Sequence, residues 1–221
     1  AVINLALSEF GLSIMNPFSS VYFDQSIGVK RRLSIKLEDI KRIQKDCYKA
    51  NDEKRWLIAL IADTGMRLAE GAGLLKTDFS LEDQILCVTI RPHRWRTLKT
   101  KSSARVIPLI GSAKWAAEQI LDQTFESKFA FPTYNYKKRT NANSASASLN
   151  KWLKERIGQT FSIHSFRHSM RDRLKEVDCP SEVIDQIGGW ARSGVGDSYG
   201  EGYSLSKMHN YLEKITFSLN G

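Results

Sequence analysis

Several features that often reveal a protein's class are scarce in this sequence. No apolar run approaches the roughly 20 residues that a membrane-spanning helix needs, and no N-terminal signal peptide is recognisable. The three cysteines, Cys47, Cys87 and Cys179, are too far apart for a CxxC metal site or a disulfide framework. We therefore expect a globular protein in a reducing, cytoplasmic setting, with no membrane partner.

Residue patterns for metal or nucleotide chemistry are missing as well. The sequence has no metal-ligand spacing, no carboxylate pair beside its other candidate residues, and no phosphate-cradling Gly-rich loop between a strand and a helix. We therefore predict no cofactor and no metal. Metal-dependent nucleases and nucleotide-dependent enzymes have no support here.

Positive charge is abundant and unevenly distributed. The 221 residues carry a formal net charge of +9, from 33 Lys and Arg against 24 Asp and Glu. From Arg91 to Arg105 six residues are basic and none is acidic, and a second basic cluster lies at 137–139. Such clusters favour a nucleic-acid backbone over a membrane, although a merely soluble basic protein is the alternative. The basic residues predicted to contact the nucleic acid are Arg94, Arg96, Lys101, Arg105, Lys137, Lys138 and Arg139.

The hydrophobic pattern divides the chain near residue 33. Residues 1–15 have a helical pattern that Asn16 and Pro17 interrupt, and a polar connection follows. We interpret 1–33 as the end of a preceding unit plus a linker. Residues 34–221 are predicted to form one further domain. The chain begins with Ala rather than Met, so we expect a fragment of a longer protein.

The larger region predicts an α+β fold that is mostly α-helical, with a small antiparallel sheet. Residues 140–148 are interpreted as a loop. Strands are expected at 84–90 and in a hairpin of 95–100 with 104–109, whose turn holds 101–103. Helices are expected from about residue 37, over 53–63 with a short one after Gly65, over 112–123, after residue 148, and over 164–176, 181–187 and 205–217.

His164 and Arg167 are the first candidate pair for chemistry. Residues three apart on a helix lie on one face. Arginine can grip two oxygens of a phosphate, and histidine can share or move a proton. A His at a helix start is by itself more often a cap or an ordinary surface group. Further polar residues at predicted element ends are Arg67, Lys99, Trp190 and Tyr199.

Five motifs resemble those of the tyrosine recombinase (phage integrase) family and occur in the family's order along residues 37–217. Residues 64–67 with Glu70 resemble its first-arginine box. Lys99, nine residues before Pro108, resembles its hairpin lysine. Residues 164–168 resemble its HxxR box. Residues 188–190, Gly-Gly-Trp, stand where the family usually has Leu-Gly-His, and Tyr199 follows nine residues later, where the nucleophile is expected.

The resemblance implies the family's catalytic-domain fold and a role for each residue. Arg67 and Arg167 would hold the non-bridging oxygens of a DNA phosphodiester. Tyr199 would attack phosphorus to give a 3′-phosphotyrosine link. Lys99 would protonate the leaving 5′ oxygen, and His164 would assist proton removal from the nucleophile. Neither ATP nor metal would be needed, because the covalent intermediate keeps the bond energy.

Trp190 departs from the family's usual pattern. An indole N–H can only donate a hydrogen bond, so this position is expected to stabilise phosphate rather than to exchange protons.

Competing interpretations exist for most of these positions. Arg67 and Glu70 could simply form a surface ion pair. Lys101 competes with Lys99 as the acid, and Trp190 could belong to the core. Tyr203 is the rival nucleophile. Tyr211 fits a helical pattern with Met208 and Leu212 and is expected to be buried.

The expected function is site-specific recombination, with integration or excision of a mobile element. The resemblance implies double-stranded DNA as partner, a homotetramer on paired sites, possible accessory DNA-bending proteins, and a bacterial or phage-infected host cell. One alternative is a type IB topoisomerase, which shares the Arg, Lys, His and Tyr roles but needs no partner site. The other is a DNA-binding protein whose catalytic site has decayed.

Overall fold

The computed structural model describes residues 2–19, 21, 33–124, 126–136, 139–190 and 202–217. The side chain of residue 101 also lies outside the description. Two compact units are present, Ala1–Arg31 and Arg32–Gly221.

The first unit contains helix α1 (Val2–Glu9). The sequence pattern predicted helix as far as residue 15, but the helix ends six residues earlier. Gly11 follows in the left-handed region at φ 62°. Glycine adopts that conformation without steric cost and so ends a helix readily.

The second unit is mostly α-helical with small antiparallel sheets, as the sequence predicted. Its helices are α2 (Leu37–Ala50), α3 (Glu53–Thr64), α4 (Leu68–Ala72), α5 (Gly111–Asp122), α6 (Ala142–Ile157), α7 (Ile163–Glu176), α8 (Ser181–Gly188) and α9 (Leu205–Ile215). Short 3₁₀ turns lie at 76–78, 101–103 and 132–134. None of the helices in the described ranges is long and apolar enough to cross a membrane.

Helix α3 is the central element of the core. Every residue from Trp56 to Thr64 is buried, and a helix that is buried on all sides must be covered by other elements. Helices α5 and α7 provide the main cover. The packing of α3 against α7 therefore sets the position of Thr64 and Gly65, at the C-terminal end of α3, relative to α7.

Asp63, at the end of α3, is the centre of a buried polar network. Its carboxylate is 1% exposed and accepts hydrogen bonds from Gln44 Nε2 and from the amide and hydroxyl of Ser112. Arg173 of α7 lies 3.4 Å away and donates to the carbonyls of Ala62 and Ile215. Because buried charges are tolerated when they are paired and hydrogen-bonded, this network locks α2, α3, α5, α7 and the end of α9 together.

The three-stranded sheet differs from the predicted one. Its order is β1 (Phe79–Glu82), β2 (Ile85–Ile90), β3 (Arg105–Pro108), all antiparallel. Strand β1 was not predicted. It joins β2 through a two-residue turn, Asp83 and Gln84, both at positive φ. That is the geometry of a type I′ turn, but this turn has Asp-Gln in place of the Asn-Gly or Asp-Gly pair that usually marks one.

The predicted pairing of 95–100 with 104–109 is wrong. Strand β3 pairs with β2, in the register Val88↔Ile107. The connection between them instead turns back on itself through a bridge between His93 and Arg96. The indole of Trp95 donates to the carbonyl of Gly73 and stacks on His93, so this stretch is held by the isolated bridge and by side-chain contacts, and not by a strand ladder.

The predicted loop at 140–148 is also wrong, because α6 begins at Ala142. Asn141 caps it by accepting a hydrogen bond from the amide of Ser144. Ala145 and Leu149 are buried one turn apart on the same face as Trp152. The Ser- and Ala-rich composition concealed this amphipathic pattern. A pair of antiparallel strands of two residues each, β4 (Asn135–Tyr136) and β5 (Arg139–Thr140), precedes α6 and was not predicted.

Candidate active site

Arg67 lies where the chain leaves α3 and enters α4. Gly65 ends α3 at φ 59°, and a side chain there would collide with Met170 at 2.6 Å. Arg67 Nη1 donates to Glu70 Oε1 at 2.6 Å, and its amide donates to Oε2 at 2.9 Å. Glu70 is only 3% exposed, so this ion pair is not a surface pair. The Nε and Nη2 groups of Arg67 form no hydrogen bond with the described residues, whose bonds to Arg67 involve its amide and Nη1, so both groups can donate to a ligand.

Arg105 was predicted to contact nucleic acid, and the structure corrects that expectation. Its side chain is 3% exposed. Nη2 donates to Glu70 Oε2 at 3.0 Å, Nη1 to the carbonyl of Ser103 at 2.6 Å, and Nε to the carbonyl of Ile187 at 2.7 Å. Every guanidinium nitrogen thus has a partner inside the protein, and the buried side chain is not presented on the surface as a phosphate contact would be.

Glu70 is shared by the two arginines. Burial acts to raise the pKa of its carboxyl group, but the charge of Arg105 and hydrogen bonds from Arg67 and Arg105 outweigh burial, and the pKa is lowered. Glu70 is therefore ionised at neutral pH. One carboxylate is paired with two guanidinium groups, so the cluster of Arg67, Arg105 and Glu70 has a net positive charge.

Arg167 projects from the first turns of α7 toward the end of α3. Its Nη1 donates to the carbonyl of Gly65 at 2.7 Å. Its Nη2 is buried and has no hydrogen-bond partner among the described residues. Burial, followed by the charges of Arg67 and Arg105, lowers the pKa of Arg167 to about 9. The guanidinium is still charged near pH 7, so an anion at this position would be stabilised by a donor that already lacks a partner.

Trp190 lies against Arg167. The guanidinium carbon of Arg167 is 4.1 Å from the centre of the indole ring, and that of Arg171 is 4.7 Å away. The amide of Trp190 donates to the carbonyl of Asp185, and Arg171 forms an ion pair with the Asp185 carboxylate at 3.2 Å. The ring is half-buried and packs at the edge of the core. Core packing and contact with Arg167 are therefore both realised.

His164 is the second residue of α7, on the helix that also carries Arg167. Its ring meets that of His168 edge-on, with centroids 5.3 Å apart. Both rings are half-buried. The interpretation of His164 as a helix-start residue is accurate for its position, and that position does not prevent it from acting on a proton.

Lys99 is exposed on a turn that is tied to Arg67. The hydroxyl of Thr100, its neighbour, lies 2.9 Å from that of Ser103. The Ser103 hydroxyl in turn accepts from Arg67 Nη1 at 2.8 Å. The side chain of Lys101 lies outside the described part, so the choice between the two lysines stays a prediction.

The other predicted basic contacts fall into three groups. Arg94 and Arg139 are exposed. Arg96 is 5% exposed, which corrects its predicted role as an accessible contact. Its guanidinium packs against the backbone of Gly73, where a side chain would come within 2.9 Å of Arg96 Nε. The two lysines at 137 and 138 lie outside the described residues.

The two candidate tyrosines differ in what the structure describes. Tyr199 lies outside the described residues. Tyr203 is bound through its backbone, because the amide side chain of Gln186 accepts from its N–H at 2.8 Å and donates to its carbonyl at 2.9 Å. Lys207 lies 4.5 Å from its ring centre. Tyr211, expected to be buried, is half-buried in α9.

Sequence patterns missed several residues of this cluster. Ser103, Arg171 and Asp185 were not singled out, and Arg105 was assigned to the wrong partner. Only Arg171 had a usable signal, since it lies four residues after Arg167 and thus on the same helix face. Within the described ranges, no group of three or more His, Cys, Asp or Glu side chains is arranged to hold a metal ion.

Comparison with known proteins gives consistent results. The model of the phage integrase family matches residues 34–201. An Escherichia coli protein described as "Resolvase" is 24% identical over 199 residues, which cover 78% of this chain and 74% of the relative. A second "Resolvase", from Escherichia coli strain K12, is 25% identical over 169 residues, covering 64% and 62%.

Solved structures share the fold. XerA recombinase superposes with a TM-score of 0.55 at 15% identity, covering 96% of this chain and 68% of that one. The Tn1549 transposon integrase, in complex with circular intermediate DNA, gives 0.60 at 16% identity, covering 96% and 76%. XerH site-specific recombinase, bound to a palindromic difH substrate, gives 0.53 at 20% identity, covering 86% and 52%. Since the family model spans three quarters of the sequence, this chain belongs to the phage integrase family of tyrosine recombinases.

Proposed function

We propose that this protein cuts and rejoins double-stranded DNA at specific sites through a 3′-phosphotyrosine intermediate. The observation that carries the proposal is Nη2 of Arg167, a buried donor without a partner among the described residues. A buried unsatisfied guanidinium nitrogen is costly unless a ligand completes it. A phosphodiester oxygen is the ligand that suits it, and Arg67 keeps two further donors nearby.

The two arginines would stabilise the transition state of phosphoryl transfer. Three guanidinium groups, of Arg67, Arg105 and Arg167, act on one another and on the single carboxylate of Glu70. The cluster therefore carries excess positive charge where charge would gather on the phosphate oxygens. Fixed donors in a partly buried site stabilise such charge far better than water does.

The remaining steps use the other predicted residues. Tyr199 attacks phosphorus, the bond to the 5′ oxygen breaks, and Lys99 supplies a proton to that leaving oxygen. His164 assists removal of the phenol proton, and Trp190 donates its indole N–H to a non-bridging oxygen. Attack by a 5′ hydroxyl of a second strand reverses the step. Arginines, not a metal ion, neutralise the developing charge in this scheme.

The partners follow from the same proposal. We infer that duplex DNA binds over the exposed basic residues Arg94 and Arg139, with Lys101, Lys137 and Lys138 contributing. The integrase and XerH structures that share this fold were solved with DNA. A homotetramer on paired sites, accessory DNA-bending proteins and a mobile element as the source of those sites belong to the proposal. So does the interpretation of residues 1–33 as the end of a core-binding unit.

A nicked suicide substrate tests the proposed function. The strand carries a nick just beyond the expected cleavage position, so that cleavage releases a short fragment and traps the covalent adduct. We expect an end-labelled protein–DNA adduct on a denaturing gel. Binding without adduct would favour a decayed, non-catalytic DNA-binding protein. Relaxation of supercoiled plasmid that lacks the site would favour a type IB topoisomerase.

A further inference from the structure

Arg105 joins three segments that each carry part of the candidate active site. Through Nη2 it contacts Glu70, which holds Arg67. Through Nη1 it binds the carbonyl of Ser103, in the turn that follows Lys99. Through Nε it binds the carbonyl of Ile187, in the last turn of α8. These contacts span 35, 2 and 82 positions of sequence.

The chain at the end of α8 is shaped around this guanidinium. Gly189 ends the helix in the left-handed region at φ 64°, and a side chain there would come within 2.7 Å of Arg105 Nη1. The next residue is Trp190, whose ring lies against Arg167. Moving Arg105 would therefore release both the carboxylate that orients Arg67 and the turn that presents Trp190.

Arg105 also decides the charge of the site. Without Arg105, Glu70 and Arg67 would form a neutral ion pair. A buried carboxylate that accepts fewer hydrogen bonds also has a higher pKa, so Glu70 would stay protonated up to a higher pH. With Arg105 on its second oxygen, Glu70 stays ionised and Arg67 is oriented without being neutralised. A protonated Glu70 would carry a hydroxyl in place of one of the two oxygens that accept from Arg67, which would weaken its hold on the amide or the guanidinium of that residue.

We infer that Arg105 is a positioning residue, which sets the geometry of Arg67 and Trp190 together and touches no DNA. This inference rests on the proposed function for its catalytic meaning, but its structural content can be tested without DNA. A residue that acts through Glu70 has an effect that depends on pH. A residue that only stabilises the fold can change the pH dependence of unfolding, but it leaves the pH dependence of adduct formation by the folded protein in place.

The chain offers a matched control in Arg173. It too is a buried arginine that pairs with a carboxylate, Asp63, and binds two backbone carbonyls. None of its hydrogen bonds reaches Arg67, Glu70 or Trp190. Arg173→Met should therefore lower the melting temperature about as much as Arg105→Met while leaving the pH dependence of adduct formation unchanged.

The first test is the rate of adduct formation at saturating nicked substrate, measured against pH. We expect Arg105→Met to slow it by about 100-fold, the effect of a small misplacement of catalytic groups, with DNA affinity within a few fold. Its acid limb should move toward neutral pH, because Glu70 loses its second cation. Arg105→Lys keeps that charge, so its acid limb should stay in place and its rate should be intermediate.

The second test needs no activity. Hydrogen exchange in DNA-free protein reports the amide of Arg67, which bonds to Glu70, and that of Trp190, which bonds to Asp185. We expect Arg105→Met to speed exchange at both, and Arg173→Met to leave both protected. If the Met variant fails to fold, Arg105→Lys should still expose the Trp190 amide, since a lysine cannot hold Glu70 and Ile187 at once.

Two outcomes would overturn the inference. One is an unshifted acid limb together with exchange at both amides that matches the Arg173 variant. The other is a loss of DNA affinity with a smaller salt dependence, which would mean that Arg105 contacts phosphate. Absence of any adduct from the unaltered protein would count against the proposed function alone, because the exchange measurement would still decide the role of Arg105.

Discussion

The guanidinium carbon of Arg167 lies 4.1 Å from the centre of the Trp190 ring. A cation over an indole face is attracted by the ring's negative centre. The ring therefore helps to hold Arg167 in place, and its N–H group is a separate function. Substitution can separate the two.

For Trp190, we predict that Phe and His have different effects. Trp190→Phe keeps an aromatic face but loses the N–H donor. A hydrogen bond to a charged group contributes about 1.5–3 kcal/mol, which corresponds to a rate of adduct formation roughly 10- to 100-fold slower. Trp190→His restores a donor and should recover part of that loss. Single-turnover cleavage at saturating DNA measures both.

The control for this comparison is Trp115→Phe. Trp115 packs edge-on against Tyr48, and this ring contact involves none of the candidate catalytic residues. Its variant should cleave at nearly the unaltered rate. Equal rates for Trp190→Phe and the unaltered protein would show that the indole N–H makes no contribution to the transition state.

Glu70 leads to a prediction about acid stability. Its pKa in the folded protein is lowered below the ordinary value of 4.5. A carboxyl with a lowered folded pKa stabilises the fold fully above its unfolded pKa, and this contribution is lost as pH falls through the folded value. We expect the free energy of unfolding to decline below about pH 4.5, and Glu70→Gln to remove part of that decline. Chemical denaturation across this pH range measures it, with the exposed Glu38→Gln as control.

The sequence predicted the helices well because their apolar residues recur at helical spacing. The family resemblance also predicted that Arg67 and Arg167 act in one site, which stays a prediction; in the structure Arg167 donates to the carbonyl of Gly65, two residues before Arg67. It could not predict that Arg105 is buried, because charge alone does not tell which arginine has carboxylate and carbonyl partners 35 and 82 positions away. The pairing of β3 with β2 was missed for a similar reason, since strand pairing depends on partners distant in sequence.

Arg105 is buried and does not fit its predicted role as a DNA contact, so other basic residues should determine DNA affinity. We predict that Arg94→Ala with Arg139→Ala weakens binding to all sequences, because both side chains are exposed. The slope of log affinity against log salt should become shallower by about 0.9 for each lost phosphate contact. Fluorescence anisotropy at several salt concentrations measures this, with exposed Lys45→Ala, outside both basic clusters, as comparison. An unchanged slope would remove these residues from the interface.

Chelation provides a separate test of the mechanism. Because guanidinium groups supply the positive charge at the phosphate in the proposed scheme, adduct formation should survive excess EDTA. The measurement is the adduct yield from nicked substrate with and without chelator. Loss of adduct that Mg²⁺ restores would contradict a metal-free mechanism.

The choice of nucleophile is the most specific prediction. Tyr199→Phe should abolish the covalent adduct while DNA affinity stays within a few fold, because only the hydroxyl is lost. Tyr203→Phe is the matched control. The Gln186 side chain hydrogen-bonds to both the N–H and the carbonyl of Tyr203, and the ammonium group of Lys207 lies over the Tyr203 ring. Its variant should therefore form adduct almost normally.

A denaturing gel with end-labelled nicked substrate separates the possible results. If the Tyr203 variant fails and the Tyr199 variant still forms adduct, Tyr203 is the nucleophile, and the Gln186 contacts must then open during the reaction. Gln186→Ala would in that case speed adduct formation. If both single variants form adduct, neither tyrosine is the nucleophile, and the attacking group must be sought elsewhere around Arg67 and Arg167. If Tyr199→Phe alone fails, the phenol of Tyr199 is the group that those two arginines activate.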